Sequence, residues 1–297
     1  MDRSFFVRAP AKINLGLTIL RRRPDGYHDL ESVMQQVSLA DTLLFELLPT
    51  KGCRFLCTDP DLSGKDNLVY RAAALLEDQA GKVLPGVRIT LFKNIPVEAG
   101  LAGGSSDAAA ALLGLNHCWQ LGFSKTDLME IAALLGSDVP YCLHGGTALA
   151  RGRGDKLEKL PDLPFFWVVL ALPRGVSIST AVAYNSFERE LLGKPEIRSL
   201  VDAIKRSSKK DIINWLARDF TNTLETAILP GSDQVGELRS KLRGLGLKPV
   251  LSGSGPAMFM MFDNYNLARS AARSVEEENG RAYLCWTITG NEEWSYV

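Results

Sequence analysis

The chain has 297 residues, 46% of them hydrophobic and 23% charged. That balance suits one large domain or two ordinary ones with a sizeable core, and it excludes disordered, collagenous and low-complexity classes. The 34 Lys and Arg residues match the 34 Asp and Glu residues, so there is no basic excess to favour nucleic acid or an anionic membrane surface as a partner.

Residues 5–20 alternate, with Ile13, Leu15 and Leu17 on one face and Lys12, Asn14 and Gly16 on the other. Period two predicts a strand with one buried and one polar face. Arg21-Arg22-Arg23-Pro24-Asp25-Gly26 reads as a basic turn. Strands are predicted at Leu39–Leu48, Cys53–Thr58 and Val87–Phe92, and a helix from an Asn67 cap to about Ala80. The run Pro96-Val97-Glu98-Ala99-Gly100-Leu101-Ala102-Gly103-Gly104-Ser105-Ser106-Asp107 leads into an alanine-rich helix that Ser105 or Ser106 can start. A helix over Lys125–Leu135 is predicted to stop at Gly136-Ser137-Asp138-Val139-Pro140. A boundary is expected between about 155 and 165, which divides the chain into 1–160 and 161–297. The second part reads as a buried strand, several helices, a strand pair around Ser252-Gly253-Ser254-Gly255, a helix and a last strand. This layout predicts an α+β fold.

Five cysteines (Cys53, Cys57, Cys118, Cys142 and Cys285) form no zinc spacing and read as free thiols in a reducing compartment. The N-terminus shows no targeting pattern, and apolar runs such as Phe165–Leu172 are too short for a bilayer. A cytoplasmic location is the expectation. Walker A, dinucleotide-fold, H-E-x-x-H and G-x-S-x-G patterns are all absent.

The Pro96–Asp107 loop is the strongest feature. Its glycines permit close backbone approach, and the helix that follows offers unpaired N–H groups to a phosphate. A flexible turn with no ligand is the other reading, and Asp107 also suits a helix dipole. Asp138, placed after a helix, is unexplained by the dipole and reads as a general base or as a turn-forming residue. Lys12 on an apolar strand needs a partner such as Asp138, or else keeps its head in water.

Together these segments carry a resemblance. Pro10-Ala11-Lys12-Ile13-Asn14-Leu15-Gly16-Leu17, Pro96–Ala109 and Leu251-Ser252-Gly253-Ser254-Gly255-Pro256-Ala257-Met258-Phe259 resemble, in order and spacing, the three motifs of the GHMP kinases, the small-molecule kinases named for galactose, homoserine, mevalonate and phosphomevalonate. Arg23–His28, Lys65–Leu68 and Leu135–Pro140 resemble one branch, whose substrate is a cytidine diphosphate derivative of methylerythritol on the non-mevalonate route to isoprenoids. The resemblance implies two lobes, a ribosomal-protein-S5-like N-terminal one and a ferredoxin-like C-terminal one, with ligands in the cleft between them. It implies ATP and Mg²⁺, with no protein ligand for the metal declared by the sequence.

By this resemblance Asp138 takes the proton of the acceptor hydroxyl, and Lys12 keeps Asp138 ionised and eases alkoxide formation. Asn67, Lys93, Pro96, Val97, Ala99, Gly100, Leu101, Ala102, Gly103, Gly104, Ser105, Ser106 and Asp107 would meet ATP. Asn14, Tyr27, His28, Thr180 and Tyr184 would meet the substrate, with Tyr27 and Tyr184 stacking on cytosine and His28 reading its edge. Glu98 departs from the glycine-rich form of the loop and should point away from triphosphate or meet a metal, and Arg21-Arg22-Arg23 would either attract the substrate diphosphate or form a solvated turn. Another family kinase, or a decarboxylase-like lyase, would share the loop but lack Tyr27 and His28. An inactive nucleotide sensor would not need both Lys12 and Asp138.

Overall fold

The computed structural model describes residues 4–81, 83–178, 197–218, 220, 222–225 and 233–290. Chain order begins with two long strands, β1 (Ser4–Arg22) and β2 (His28–Leu48), joined by the Pro-Asp-Gly turn. There follow β3 (Cys53–Cys57), α1 (Leu68–Ala80), β4 (Gly86–Phe92), α2 (Gly103–Cys118), α3 (Lys125–Leu135) and α4 (Val139–His144). The β5 (Thr147–Gly152) and β6 (Lys156–Lys159) hairpin completes one sheet. Beyond it come β7 (Trp167–Pro173), α5 (Arg198–Lys205), α6 (Lys209–Arg218), α7 (Asp233–Gly244), β8 (Val250–Leu251), β9 (Met258–Phe262), α8 (Tyr265–Glu277) and β10 (Gly280–Trp286).

The first sheet is built on β2. Its residues 30–35 pair with β5 and its residues 42–48 with β4, while β1 pairs along its other edge. β3 joins β4 in parallel. The second sheet runs β10-β7-β9-β8, all antiparallel. Apart from the parallel β3–α1–β4 unit, the strands pair antiparallel and the helices lie in their own layers, so the fold is α+β.

Helices α1–α4 cover the first sheet with a core that includes Leu76, Leu112 and Tyr141 against Phe45, Ile89 and Leu91. Burying each large apolar side chain contributes roughly 1.5–3 kcal/mol. Gly114 lets α2 sit directly on β2, since a Cβ there would lie 2.3 Å from the Phe45 ring.

One expectation changes. β1 has no solvent face in its middle, and every residue from Ala11 to Ile19 is buried. Ala11, Ile13 and Leu15 pack with Val168, Leu170 and Phe259 of the second sheet. Leu17 and Ile19 pack with Val169, Met258 and Met260. Alternation along one strand cannot show that a second sheet will cover it. The polar residues Lys12 and Asn14 are therefore buried too, at 5% and 1% exposure. Register shifts at Pro10/Lys12 and Asn14/Gly16 bracket them, as expected where bulges re-aim side chains at a site.

All five cysteines are free. Burial pushes the Cys118 thiol up to about 11 and Cys285 up to about 12, so neither is a reactive thiolate at neutral pH. Among the described residues no helix is long and apolar enough to cross a membrane.

Candidate active site

A cavity of about 780 Å³ opens where β1, the residue 96–103 loop, the start of α4 and the 253–254 turn converge. Lys12 lies at its floor. Its Nζ is 3.5 Å from Asp138 Oδ2 and donates to Asn14 Oδ1 at 2.7 Å. Asn14 Nδ2 donates to Ser32 Oγ at 2.8 Å, and that hydroxyl donates to Gly16 O at 2.7 Å. The relay leaves the amide one orientation, oxygen toward the ammonium and nitrogen toward the serine.

Asp138 is not at a helix end that opposes it. It precedes a second short helix, α4, and occupies the N-cap position without making a side-chain cap bond. Pro140 does not end a helix but sits in the first turn of α4, where its missing N–H costs nothing. Tyr141 on that helix is fully buried and donates to Gly146 O at 2.7 Å. The backbone under Asp138 is thus anchored, while its carboxylate, one-third exposed, faces Lys12.

The 96–103 loop is held by backbone bonds from three sides. The Lys12 amide donates to Leu101 O at 3.0 Å, the Ala257 amide to Ala99 O at 3.1 Å, and the Ile178 amide to Glu98 O at 3.2 Å. Ala99 and Leu101 are buried and pin the loop from beneath. Pro96, Val97, Gly100, Ala102, Gly103, Gly104 and Ser105 line the cavity. Glu98 is exposed at its rim, with a φ of 50°. Gly100 has a φ of 76°, and a Cβ there would fall 2.3 Å from Ser252 O.

α2 begins earlier than expected, at Gly103, with Ala102 at the N-cap in a left-handed conformation and no side-chain cap bond. The first helical amide bond is Ser106 N to Ala102 O. The amides of residues 103–105 are therefore those available to an anion. Ser106 turns away. It is fully buried, and its hydroxyl donates to Pro10 O at 2.7 Å, tying α2 to β1.

Lys93 is also placed differently from a simple phosphate contact. Its Nζ lies between Asp41 and Asp107, bonding both, with Asp107 Oδ2 at 2.8 Å. Asp41 is wholly buried and accepts from the Asn94 and Ile95 amides as well. Burial lowers the Lys93 pKa, but the two carboxylates outweigh it and leave it raised. Burial likewise drives Asp107 well above the ordinary carboxylate range, against the pull of Lys93. Asn67 caps α1, accepting from Val69 N at 2.9 Å and donating to Leu62 O at 2.9 Å, and still borders the cavity.

At the other end, Tyr27 is half exposed, and the Arg153 guanidinium lies 4.9 Å from its ring centroid. His28 begins β2 and is 8% exposed. Burial, and then the Arg22 charge, lower its pKa, so the imidazole is neutral at pH 7. Thr180 and Tyr184 lie outside the described residues.

Some neighbours had no role assigned from sequence. Gly253 and Ser254 line the cavity. A Cβ on Gly253 would meet Asn14 Oδ1 at 3.0 Å and Lys12 Nζ at 3.5 Å. Ser252 Oγ accepts from Asn14 N at 3.3 Å and donates to Gly100 O at 3.2 Å. Their signal was the glycine-serine alternation of the third motif. Arg153 and Ser32 carried none.

Comparison with known proteins shows the family. Residues 67–146 match the family model described as the GHMP kinases N terminal domain. A 4-diphosphocytidyl-2-C-methyl-D-erythritol kinase of Listeria monocytogenes is 42% identical, over 97% of this chain and 96% of that protein. One from Exiguobacterium sibiricum is 43% identical over 90% and 92% respectively. A crystal structure of 4-(cytidine 5'-diphospho)-2C-methyl-D-erythritol kinase superposes with a TM-score of 0.80 at 37% identity, covering 95% of this chain and 98% of that one. With the paired Lys12 and Asp138 beside a glycine loop that opens a helix, these matches place the chain in the GHMP kinase superfamily and, within it, in the family of 4-diphosphocytidyl-2-C-methyl-D-erythritol kinases.

Proposed function

We propose that the cavity transfers the γ-phosphoryl group of ATP to the 2-hydroxyl of 4-diphosphocytidyl-2-C-methyl-D-erythritol, with Asp138 as general base. The chain is an ATP-dependent small-molecule kinase of the non-mevalonate isoprenoid route. The observation that carries the assignment of roles is the Lys12–Asp138 pair, 3.5 Å apart, in one cavity with the open amides of α2.

Each group has a physical task. The amides of residues 103–105 and the positive end of α2 hold phosphate oxygens. Asp138 accepts the hydroxyl proton as that oxygen bonds to the γ-phosphorus. The bond from the γ-phosphorus to the bridging oxygen breaks, and ADP leaves. Lys12 stabilises the negative charge that builds on the attacking oxygen, a contribution that grows in a site closed to water. Asn14 fixes the direction of the ammonium.

Among the described residues no group of three or more His, Cys, Asp or Glu forms a metal cage. That fits Mg²⁺ carried in on the triphosphate, which needs only one or two protein oxygens. Ser105, the hydroxyl of the Ser105–Ser106 pair that faces the cavity, is the protein oxygen that would hold it. When bound, the ion neutralises phosphate charge.

His28 is assigned to the cytosine edge. A buried neutral imidazole offers one donor and one acceptor. His28→Ala is expected to raise KM for the cytidyl substrate about tenfold or more, in keeping with the loss of a buried hydrogen bond of ~1–3 kcal/mol, with KM for ATP within about twofold. Equal effects on both would place His28 outside the substrate pocket. Because burial lowers its pKa, the cytidyl KM should be flat above neutral pH and rise as the pH falls into the acid range. A KM that falls as the pH drops through 7 would mean that the protonated imidazole binds.

Phosphorus NMR of the product tests the reaction itself. One new phosphomonoester signal per ADP, with the diphosphate signals retained, is expected. Loss of the diphosphate signals would contradict phosphoryl transfer to the alcohol.

A further inference from the structure

We propose that Arg153 binds the diphosphate of the cytidine-diphosphate substrate, working from its stack on Tyr27. This rests on the cytidyl reading above and extends it to the substrate's diphosphate, because the basic turn Arg21-Arg22-Arg23 does not line the cavity.

Position comes first. Arg153 sits at the tip of the β5–β6 hairpin, in a turn set by Gly152 and Gly154, with φ of 68° and 99°. Its amide donates to Asp155 Oδ1 at 3.0 Å, which locks the turn. A Cβ built on Gly154 would lie 3.9 Å from Asp138 Oδ1, so the turn runs beside the proposed base. The Arg153 guanidinium itself lies over Tyr27. One short turn thus connects the nucleoside end of the cavity to the hydroxyl end. In the substrate, the group that joins those two ends is the diphosphate.

Charge comes second. A site for ATP and a diphosphate must meet several phosphate charges. Four carboxylates line the cavity, those of Asp66, Glu98, Asp107 and Asp138. Lysines are engaged already. Lys12 faces Asp138 and donates to Asn14, and Lys93 lies between Asp41 and Asp107. Among the described residues Arg153 makes one long ion pair, 3.6 Å to Asp155, with both side chains about 30% exposed. Asp25 is also near enough to feel its charge, but is more exposed and bonds Arg23. Such open pairs are worth little and yield to a phosphate. Arg153 is therefore the cation in the cavity whose hydrogen-bond donors remain available.

Chemistry comes third. A guanidinium presents a planar fork that matches phosphate oxygens in pairs. Stacking on an aromatic ring orders that fork without using its N–H groups. The Tyr27 ring serves two partners, a cation and a base.

Calorimetric titration of the full chain with CDP and with cytidine tests this. A saturating non-hydrolysable ATP analogue with Mg²⁺ keeps CDP out of the nucleotide site. Wild-type protein is expected to prefer CDP over cytidine. Arg153→Met should weaken CDP at least tenfold and cytidine less than twofold, and should reduce the salt dependence of CDP binding. Arg153→Lys should fall between. Equal losses for CDP and cytidine would overturn the proposal by making Arg153 only a support for Tyr27. Unchanged CDP binding would overturn it outright. Turnover of the cytidyl substrate by wild type is measured alongside. If turnover is present and CDP binding is unaffected by the variant, the diphosphate role alone fails. If turnover is absent, the cytidyl reading fails and takes this inference with it.

Discussion

Asp138→Asn is expected to remove turnover, with a loss on the order of 10²–10⁴ in kcat, while ATP binds within about twofold of wild type. The asparagine keeps the shape and loses the proton acceptor. It leaves the loop untouched, because the loop is held by the Lys12, Ile178 and Ala257 amides rather than by the Asp138 side chain. It also leaves α4 in place, since Asp138 makes no side-chain cap bond there. The effect should therefore appear in kcat with little change in the ATP affinity. Kinetics near wild type would remove Asp138 from the base role. A loss of ATP binding equal to the loss of kcat would make it a structural residue instead.

Lys93→Met is expected to have the second large effect, and chiefly on stability. Removing the ammonium leaves Asp41 and Asp107 facing each other without a cation, both nearly inaccessible to water, so that they must take up a proton or keep an unpaired buried charge. Breaking a buried pair on one side costs about 3–5 kcal/mol. Lys93 bonds the start of α2 through Asp107, and Asp41 holds the amides that lead into the loop. We therefore expect a much lower denaturation midpoint, accompanied by weakened ATP binding because the loop loses its anchor. If Lys93 met only the nucleotide, the variant would lose ATP affinity and keep its midpoint. The cluster also has a pH signature. The raised Lys93 pKa means that its contribution is fully present below about 10.5, the ordinary lysine value, and is lost as pH rises through the higher folded value.

These two residues also show what could be read from the sequence. Lys12, Asn14, Asp138 and the glycine loop stand in motifs whose order is visible along the chain, and the structure gathers them around one cavity. The Asn67 cap and the helix after it follow from local chemistry alone, and both form as read. Lys93 differs because its partners are Asp41 and Asp107, 52 and 14 residues away. No local pattern announces an ion pair between residues so far apart in the chain. α4 was hidden because Gly136 and Pro140 signal a stop, and the same proline also starts a helix well. The full burial of β1 depends on the second sheet, which packs from more than 150 residues away: Leu15 meets Val168 and Phe259. β2 shows the same limit. The sequence pattern marks only its second half as strand, yet its first residues from His28 pair with β1 and β5. Segments that local chemistry determines were legible, and those that distant packing determines were not.

The measurement that bears most directly on the whole account is ADP release by the purified protein with Mg-ATP. Parallel reactions would contain 4-diphosphocytidyl-2-C-methyl-D-erythritol, mevalonate, homoserine or galactose. Rapid release with the cytidyl substrate and background release with the other three is the predicted result. Release with another of these alcohols and none with the cytidyl compound would contradict the substrate assignment. ATP binding with no release in any reaction would contradict the catalytic role of the Lys12–Asp138 pair.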